Sequence, residues 1–400
     1  MRKMPLGVVL FCALYIGCNS SRHADNDLGT IFDEIRVSIT HQEWDIALEM
    51  LKFTQLRHAE YYYLLSHTYA GMALEQDRDS AGVNPEFYLK ASEAMEKAIS
   101  LDSSFSKIMD LNPYDKLGLI WGSLALSYLF ENKYDKAQWC FEEGKQRGAF
   151  YEAYLDYGYN LLSSCQKNGI LLTSGGIDTY AALYWQIVSN YRRDVTVICL
   201  QNLDNKKFVQ HLSSRGVDFG LCDDFRASIS NQKNPFTQPY LHQLKNAGFM
   251  ITIPDRSQKE LLFVQDVLLV NLVNANYRSR PIYFSSAVSK QGLYAFNNVL
   301  TLEGLVKRLT ADVAGDAVEK RVCFESLEVN LLKTYNYDGL LNEHTSENKK
   351  SSELQNHYVS VLLSAINAFL FKEDYENAAP FISKLENVFH SVEGTIKVDF

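Results

Sequence analysis

Between Gly169 and Thr179 the chain reads GILLTSGGIDT. Ile170, Leu171, Leu172 and Thr173 form a short apolar run, Ser174-Gly175-Gly176 breaks it, and a helical stretch follows to about Asn190. The pattern repeats downstream. Val195 to Leu200 is a second apolar, β-branched run, ending in Gln201-Asn202-Leu203-Asp204, with a helix expected from Lys206 to Ser214. Met250 to Ile253, an apolar helix from Lys259 to Asn274, and Pro281 to Ser285 continue the alternation. Continuous apolar strands separated by helices predict a parallel sheet covered on both faces, a Rossmann-like α/β domain over residues 166–342. Ligands of such sheets sit beyond the carboxyl ends of the strands. That rule places Ser174 to Thr179, Asn202, Asp204, Asp255 and Ser285 on the candidate rim.

The strand–SGGIDT–helix unit has two readings. It resembles the pyrophosphate loop of ATP-dependent adenylating enzymes, in which glycines permit close backbone approach and a helix N-terminus favours the anion. Ser174, Gly175, Gly176, Asp178 and Thr179 would then face a nucleotide. The other reading is a tight strand-to-helix turn, with Asp178 or Ser174 capping free amides.

Upstream, residues 28–165 show helical periodicity with short breaks. Trp121, Leu124, Ala125 and Tyr128 on one helix face Ala137, Phe141 and Gly144 on the next, the alternation of large and small residues seen in tetratricopeptide repeats. A degraded unit pairs Tyr62, Leu65, Ser66 and Tyr69 with Ala91, Met95 and Ala98, and a half-unit surrounds Trp44, Ala47 and Leu51. Tyr61, Tyr62 and Tyr63 cannot share one helix face, so at least one is expected to be exposed. After a polar linker at 343–353, residues 354–400 return to a helical hairpin carrying Ala365, Phe369, Ala378, Ile382 and Leu385. Such arrays offer a concave surface to a protein partner, or serve as a shoulder for the neighbouring domain.

The first residues give an address. Arg2 and Lys3 precede an apolar run from Leu6 to Ile16, too short for a membrane span of roughly 20 residues. Tyr15-Ile16-Gly17-Cys18 resembles a bacterial lipobox, so residues 1–17 are expected to be a signal peptide and Cys18 the lipidated mature terminus. Residues 18–27 would be a polar tether, and the protein would sit on the cell envelope, at the periplasmic or outer-membrane surface. A net charge of −9 gives no footprint for nucleic acid. Cys140, Cys165, Cys199, Cys222 and Cys323 are scattered without metal-ligand spacing, and buried thiols are expected. No metal and no cofactor is read from the nine dispersed histidines or the cysteines.

Several ordered blocks carry a broader resemblance. TSGGIDTYAALYWQIVSNYRRDVTVICLQNL, then SRPIYFSSAVSKQGLYAFNNVLTLEGLVKRL, then NLLKTYNYDGLL, are similar to the extracytoplasmic C-terminal part of a bacterial membrane-protein family related to protein O-mannosyltransferases. Members carry G-D-N-D-T where this chain has Gly175 to Thr179, so one Asp and the Asn are replaced while Asp178 and Thr179 remain. The resemblance implies that SGGIDT is this family's turn. It does not bring catalysis, because the multi-span membrane region that would contain the transfer site has no counterpart here.

No GxSxG, HExxH, Walker loop or GxGxxG occurs. Asp223-Asp224 reads as a solvated loop, and Arg278 and Arg280 as either an anion site or caps on the preceding helix. The leading expectation is a non-catalytic envelope lipoprotein acting as a protein-binding or scaffold component, with a glycosylation or envelope assembly as the setting that the resemblance implies. The alternatives are a sugar or small-ligand binder at the rim and an ATP-using adenylating enzyme.

Overall fold

The computed structural model describes residues 21–54, 57–79, 82–102, 111–220, 241–244, 249–252, 264–289, 292–293, 296, 299–310, 321–343 and 352–389. Cys18, Cys222, Asp223, Asp224 and Asp255 lie outside them. The protein is mostly helical, with one small mixed sheet of five strands.

The helices come first. They are α1 (Ser21–Thr40), α2 (Trp44–Phe53), α3 (Ala59–Asp79), α4 (Glu86–Leu101), α5 (Pro113–Phe130), α6 (Tyr134–Gln146) and α7 (Glu152–Ser163). Helix α1 therefore begins inside the stretch read as a tether. Two more, α13 (Ser352–Leu370) and α14 (Tyr375–Phe389), close the described chain. Neighbours pack as hairpins: α1 on α2, α3 on α4, α5 on α6 and α13 on α14. Three of these hairpins share one turn. Gln42, Asn132 and Glu373 each have φ near +60°, at 60°, 57° and 57°. In each case the next amide donates to a carbonyl five residues back: Glu43 to Ser38, Lys133 to Tyr128 and Asp374 to Phe369. This is the Schellman closure, which satisfies carbonyls at the end of the first helix. The next helix then opens on an aromatic residue followed by an acid, with a buried alanine three residues after the aromatic: Trp44, Asp45 and Ala47; Tyr134, Asp135 and Ala137; Tyr375, Glu376 and Ala378.

Packing explains one departure from expectation. Tyr61 and Tyr63 are both buried and Tyr62 is half-buried, so none of the three is exposed. Helix α3 is gripped from two sides. Tyr61 packs into a small cluster with α1 and α2, while Tyr63 enters the main core and donates its hydroxyl to the Leu111 carbonyl at 3.0 Å.

The sheet follows α7. Its strands are β1 (Ile170–Thr173), β2 (Thr196–Cys199), β5 (Ile282–Ser285), β6 (Leu300–Leu302) and β7 (Val306–Leu309), in the order β2-β1-β5-β7-β6. Helix α8 (Ile177–Val188) joins β1 to β2, and α9 (Lys206–Ser214) and α10 (Val264–Asn276) lie between β2 and β5. Strand β1 pairs in parallel with β2 and β5. The far half is antiparallel, so the all-parallel sheet expected from the alternation is corrected to a mixed one. The cause is local. Glu303-Gly304-Leu305 is a tight turn with Gly304 at φ 118°, and a chain that reverses this sharply adds only antiparallel strands. A second correction concerns Phe249–Thr252, strand β4, which pairs antiparallel with β3 (Leu241–Leu244) as a separate two-stranded ribbon.

Residues of β1, β2 and β5 alternate between two cores. Leu171, Val197 and Tyr283 join the helical array, whereas Ile170, Leu172, Ile198, Ile282 and Phe284 pack with α9 and α10. The first core is continuous from α3 to α14. Helix α7 lies at its centre, with Ala153, Tyr154, Leu155, Asp156, Tyr157, Gly158, Asn160, Leu161 and Leu162 all buried. Only Glu152 on it is exposed, so protein surrounds nearly the whole helix. Gly158 lets its backbone touch α8, because a methyl there would overlap the Ala181 carbonyl. Gly158→Ala should therefore destabilise the protein by about 1–3 kcal/mol through overpacking, against a helix-propensity gain of at most about 1 kcal/mol. Urea titration followed by circular dichroism checks this; a midpoint at or above wild type would contradict the packing.

Candidate functional site

The turn after β1 is held from inside the protein. Gly175 and Gly176 have φ of 107° and 86°, a backbone that side chains strain to adopt. The amide and hydroxyl of Ser174 donate to one oxygen of the Asp178 carboxylate, at 2.7 and 3.2 Å. The Thr179 hydroxyl donates to Thr173 Oγ1 at 2.7 Å, and Thr173 donates to the Ile198 carbonyl at 3.2 Å. These bonds pin the first turn of α8 to the ends of β1 and β2. Asp178 and Thr179 are each 1% exposed. Burial pushes the Asp178 carboxyl above its ordinary range; hydrogen bonds from Ser174, from the Ser285 hydroxyl and from the Thr179 amide oppose that rise. Ser285 is itself fully buried and accepts from the Ala287 amide at 3.2 Å.

A cleft of about 360 Å³ opens just outside this network. Ser174 lines it from the end of β1, Leu200, Gln201 and Leu203 from the turn after β2, and Ala287, Val288, Ser289 and Gly292 from the segment after β5. Gln265, Asp266 and Leu269 close it from the first turns of α10. From β1 the chain crosses to β2 on one side, and β5 lies on the other, so the cleft stands at the point where the strand order reverses. Gln201 lies across the glycine turn: a methyl on Gly175 would come within 2.5 Å of its Oε1. Gln265 Nε2 donates to the Gln201 carbonyl at 3.2 Å, joining two walls. Asp266 is 6% exposed, and no Lys, Arg or His is among the described lining residues.

The rim residues thus separate into groups. Ser174 reaches the cleft with Gly175 beneath it, while Asp178, Thr179 and Ser285 lie behind it as its support. Asn202 is half-buried and Asp204 exposed, and neither lines the cleft. Gln201, Gln265, Asp266 and Ser289 were not singled out in the sequence. Gln265-Asp266 opening an apolar helix before β5 was the available signal, since the rim of an α/β sheet also includes the helix starts that face it.

Arginines fasten the opposite end of the sheet. Arg280 Nε donates to the Asn168 carbonyl at 2.8 Å, and Nη2 donates to Thr196 Oγ1 at 2.6 Å. Its side chain thus clamps the starts of β1 and β2, which is neither of the two roles expected from sequence. Arg192 makes a two-pronged pair with Asp194 at 2.9 and 3.1 Å and donates to the Leu162 carbonyl at the end of α7. That pairing holds the Asp194 carboxyl down at about 2.

Among the described residues no cluster of His, Cys, Asp or Glu is arranged to hold a metal ion. Burial pushes the Cys199 thiol up to about 12, and lowers His67 to about 3 and His211 to about 4. These groups stay neutral and pack. Cys140, Cys165, Cys199 and Cys323 are free thiols, the first three buried.

The family description TMEM260-associated domain 2 matches residues 154–218. The match runs from α7 through β1, α8 and β2 to the end of α9. It is loosely consistent with the resemblance drawn from residues 173–203. No curated protein and no solved structure was found to match the chain. No helix among the described residues is long and apolar enough to cross a membrane.

The buried acid sets a pH dependence. The folded state holds the Asp178 proton more tightly than the unfolded chain, so its contribution is fully present below the ordinary carboxylate pKa and is lost as pH rises through the raised value. Asp178→Asn lacks this term. Its stability relative to wild type should therefore improve as pH rises across that window, measured by urea melts between acid and neutral pH. Parallel profiles for the two proteins would mean that the carboxylate is solvated.

Proposed function

We propose that this chain is a non-catalytic binding component of the bacterial envelope, lipid-anchored at Cys18, which holds a neutral, hydroxyl-rich ligand such as a sugar in the cleft beyond β1, β2 and β5. The observation that carries this reading is the composition of the cleft. Amide side chains of Gln201 and Gln265, the Ser174 and Ser289 hydroxyls and the Asp266 carboxylate surround an apolar floor of Leu200, Leu203 and Leu269. Amides and carboxylates match the alternating donors and acceptors of vicinal hydroxyls, and the apolar floor suits the C–H face of a ring.

The ATP alternative has the turn geometry against it. In a pyrophosphate loop the amides point at the ligand, whereas here the Ser174 amide is taken by the Asp178 carboxyl group, so that donor is already used within the loop. The described lining also offers no cation to balance a triphosphate. The scaffold reading keeps independent support. The turn repeated at Gln42, Asn132 and Glu373 favours a tetratricopeptide-like array, whose usual work is to present a surface to a protein partner.

Thermal-shift screening with neutral sugars tests the cleft. A ligand at about one hundred times its Kd should raise Tm by at least about 3 °C. The double variant Gln201→Ala with Gln265→Ala should lose that shift, while Asp204→Ala keeps it. No shift from any neutral glycan, or a shift from magnesium-ATP that Gln201→Ala leaves intact, would overturn the reading.

A further inference from the structure

We infer that the groove at the amino-terminal end of the helical array docks a protein segment in which lysines or arginines are spaced by aliphatic residues. The inference deepens the scaffold half of the proposal and is independent of the rim cleft.

The groove, of about 530 Å³, lies where the first hairpin turn meets α3 and the start of α4. Its apolar surface comes from Trp44, Ile46, Met72 and Phe87, all at least partly accessible. Trp44 is held in place, since its indole rests on Gly71 where a methyl would overlap the ring, and it stacks on His67 with ring centroids 6.3 Å apart. This aromatic wall is therefore preformed. Burial keeps His67 neutral, so it adds no positive charge beneath the floor.

Around that floor stand Glu43, Asp45 and Glu75, all exposed. None of the three takes part in an ion pair among the described residues. Among the described residues no basic residue lines the groove. The nearby Lys90 is engaged with Glu86 at 2.7 Å and lies over the Tyr69 and Phe87 rings, and Lys52 is engaged with Glu49 at 2.7 Å. The buried Gln76 Oε1 adds an acceptor without a partner at the base. Three exposed carboxylates outside any close ion pair, only Asp45 of them feeling Lys52 at longer range, over an aromatic and aliphatic floor are complementary to a cationic, amphipathic segment: its aliphatic side chains cover the floor and its ammonium or guanidinium groups reach the rim. An anionic lipid surface or an acidic peptide would meet like charge.

Fluorescence anisotropy on the intact protein tests this, with short labelled peptides of alternating Lys and Leu, Lys and Ser, or Glu and Leu. The Lys/Leu peptide should bind saturably, and more weakly as salt is raised. The other two should not bind, because each lacks one half of the complementarity. The triple variant Glu43→Gln, Asp45→Asn, Glu75→Gln should weaken binding about tenfold or more. A control that removes the same charge elsewhere, Glu142→Gln, Glu325→Gln, Glu376→Gln, should bind like wild type. Equal weakening in both triple variants would reduce the effect to net charge and overturn the proposal, as would binding of the Lys/Ser peptide as tight as that of Lys/Leu, or no saturable binding. A negative result here leaves the sugar-induced thermal shift unaffected, so the two readings fail separately.

Discussion

The backbone contact of Gly158 with Ala181 fixes how everything else is arranged. It brings α7 against α8 at a separation that any side chain would widen, and most residues of α7 are buried. A helix so enclosed must find partners for its polar groups, because a buried amide or carboxylate left unpaired is costly. The chain around residues 330–339 supplies them. Asn160 exchanges hydrogen bonds with the Asn336 backbone, at 2.7 and 2.8 Å, and also donates to the Tyr358 hydroxyl. Asp156 accepts from Asn336 Nδ2 and from the Gly339 amide, both at 2.8 Å, and burial still raises its carboxyl to about 6. Tyr335 bonds Ser164 just beyond α7 and accepts from the Leu305 amide in the β6–β7 turn.

This convergence gives physical content to the blocks on which the family resemblance rests. Arg192 and Asp194 fasten the end of α7, Arg280 clamps the first two strands, Gly304 makes the hairpin turn, and Tyr335 to Gly339 satisfy α7. The blocks are separated in sequence and meet in space around one helix. In this structure the contacts they make hold the fold together.

Much of this was legible beforehand. Residues 206–214 form a helix as periodicity indicates, and the apolar runs at 170–173, 196–199 and 282–285 are strands of one sheet. The repeat pattern at Trp121, Leu124, Ala125, Ala137 and Phe141 is buried throughout. What was hidden depended on three-dimensional closure. Helix α7 looks like one more member of the array, and nothing in its own periodicity shows that array and sheet share a core. The antiparallel half of the sheet hid in LTLEGLVKRL, where the strands are too short for alternation to speak. In the site, topology pointed to the end of β1, and Ser174 there lines a cleft. Asp178 and Thr179 have the same motif but point inward, a distinction that no spacing encodes. Gln201 and Gln265 belong to no motif, since an amide becomes a recognition group only through what faces it.

The enclosure of α7 also determines where this architecture can be cut. A piece beginning at residue 166, where the period changes, would leave Tyr154, Tyr157 and Leu161 behind and expose the surface of α8 that they cover. The matched region likewise starts inside α7, at residue 154. Recombination between relatives, or the choice of ends for a recombinant fragment, therefore has to keep α7 together with α8.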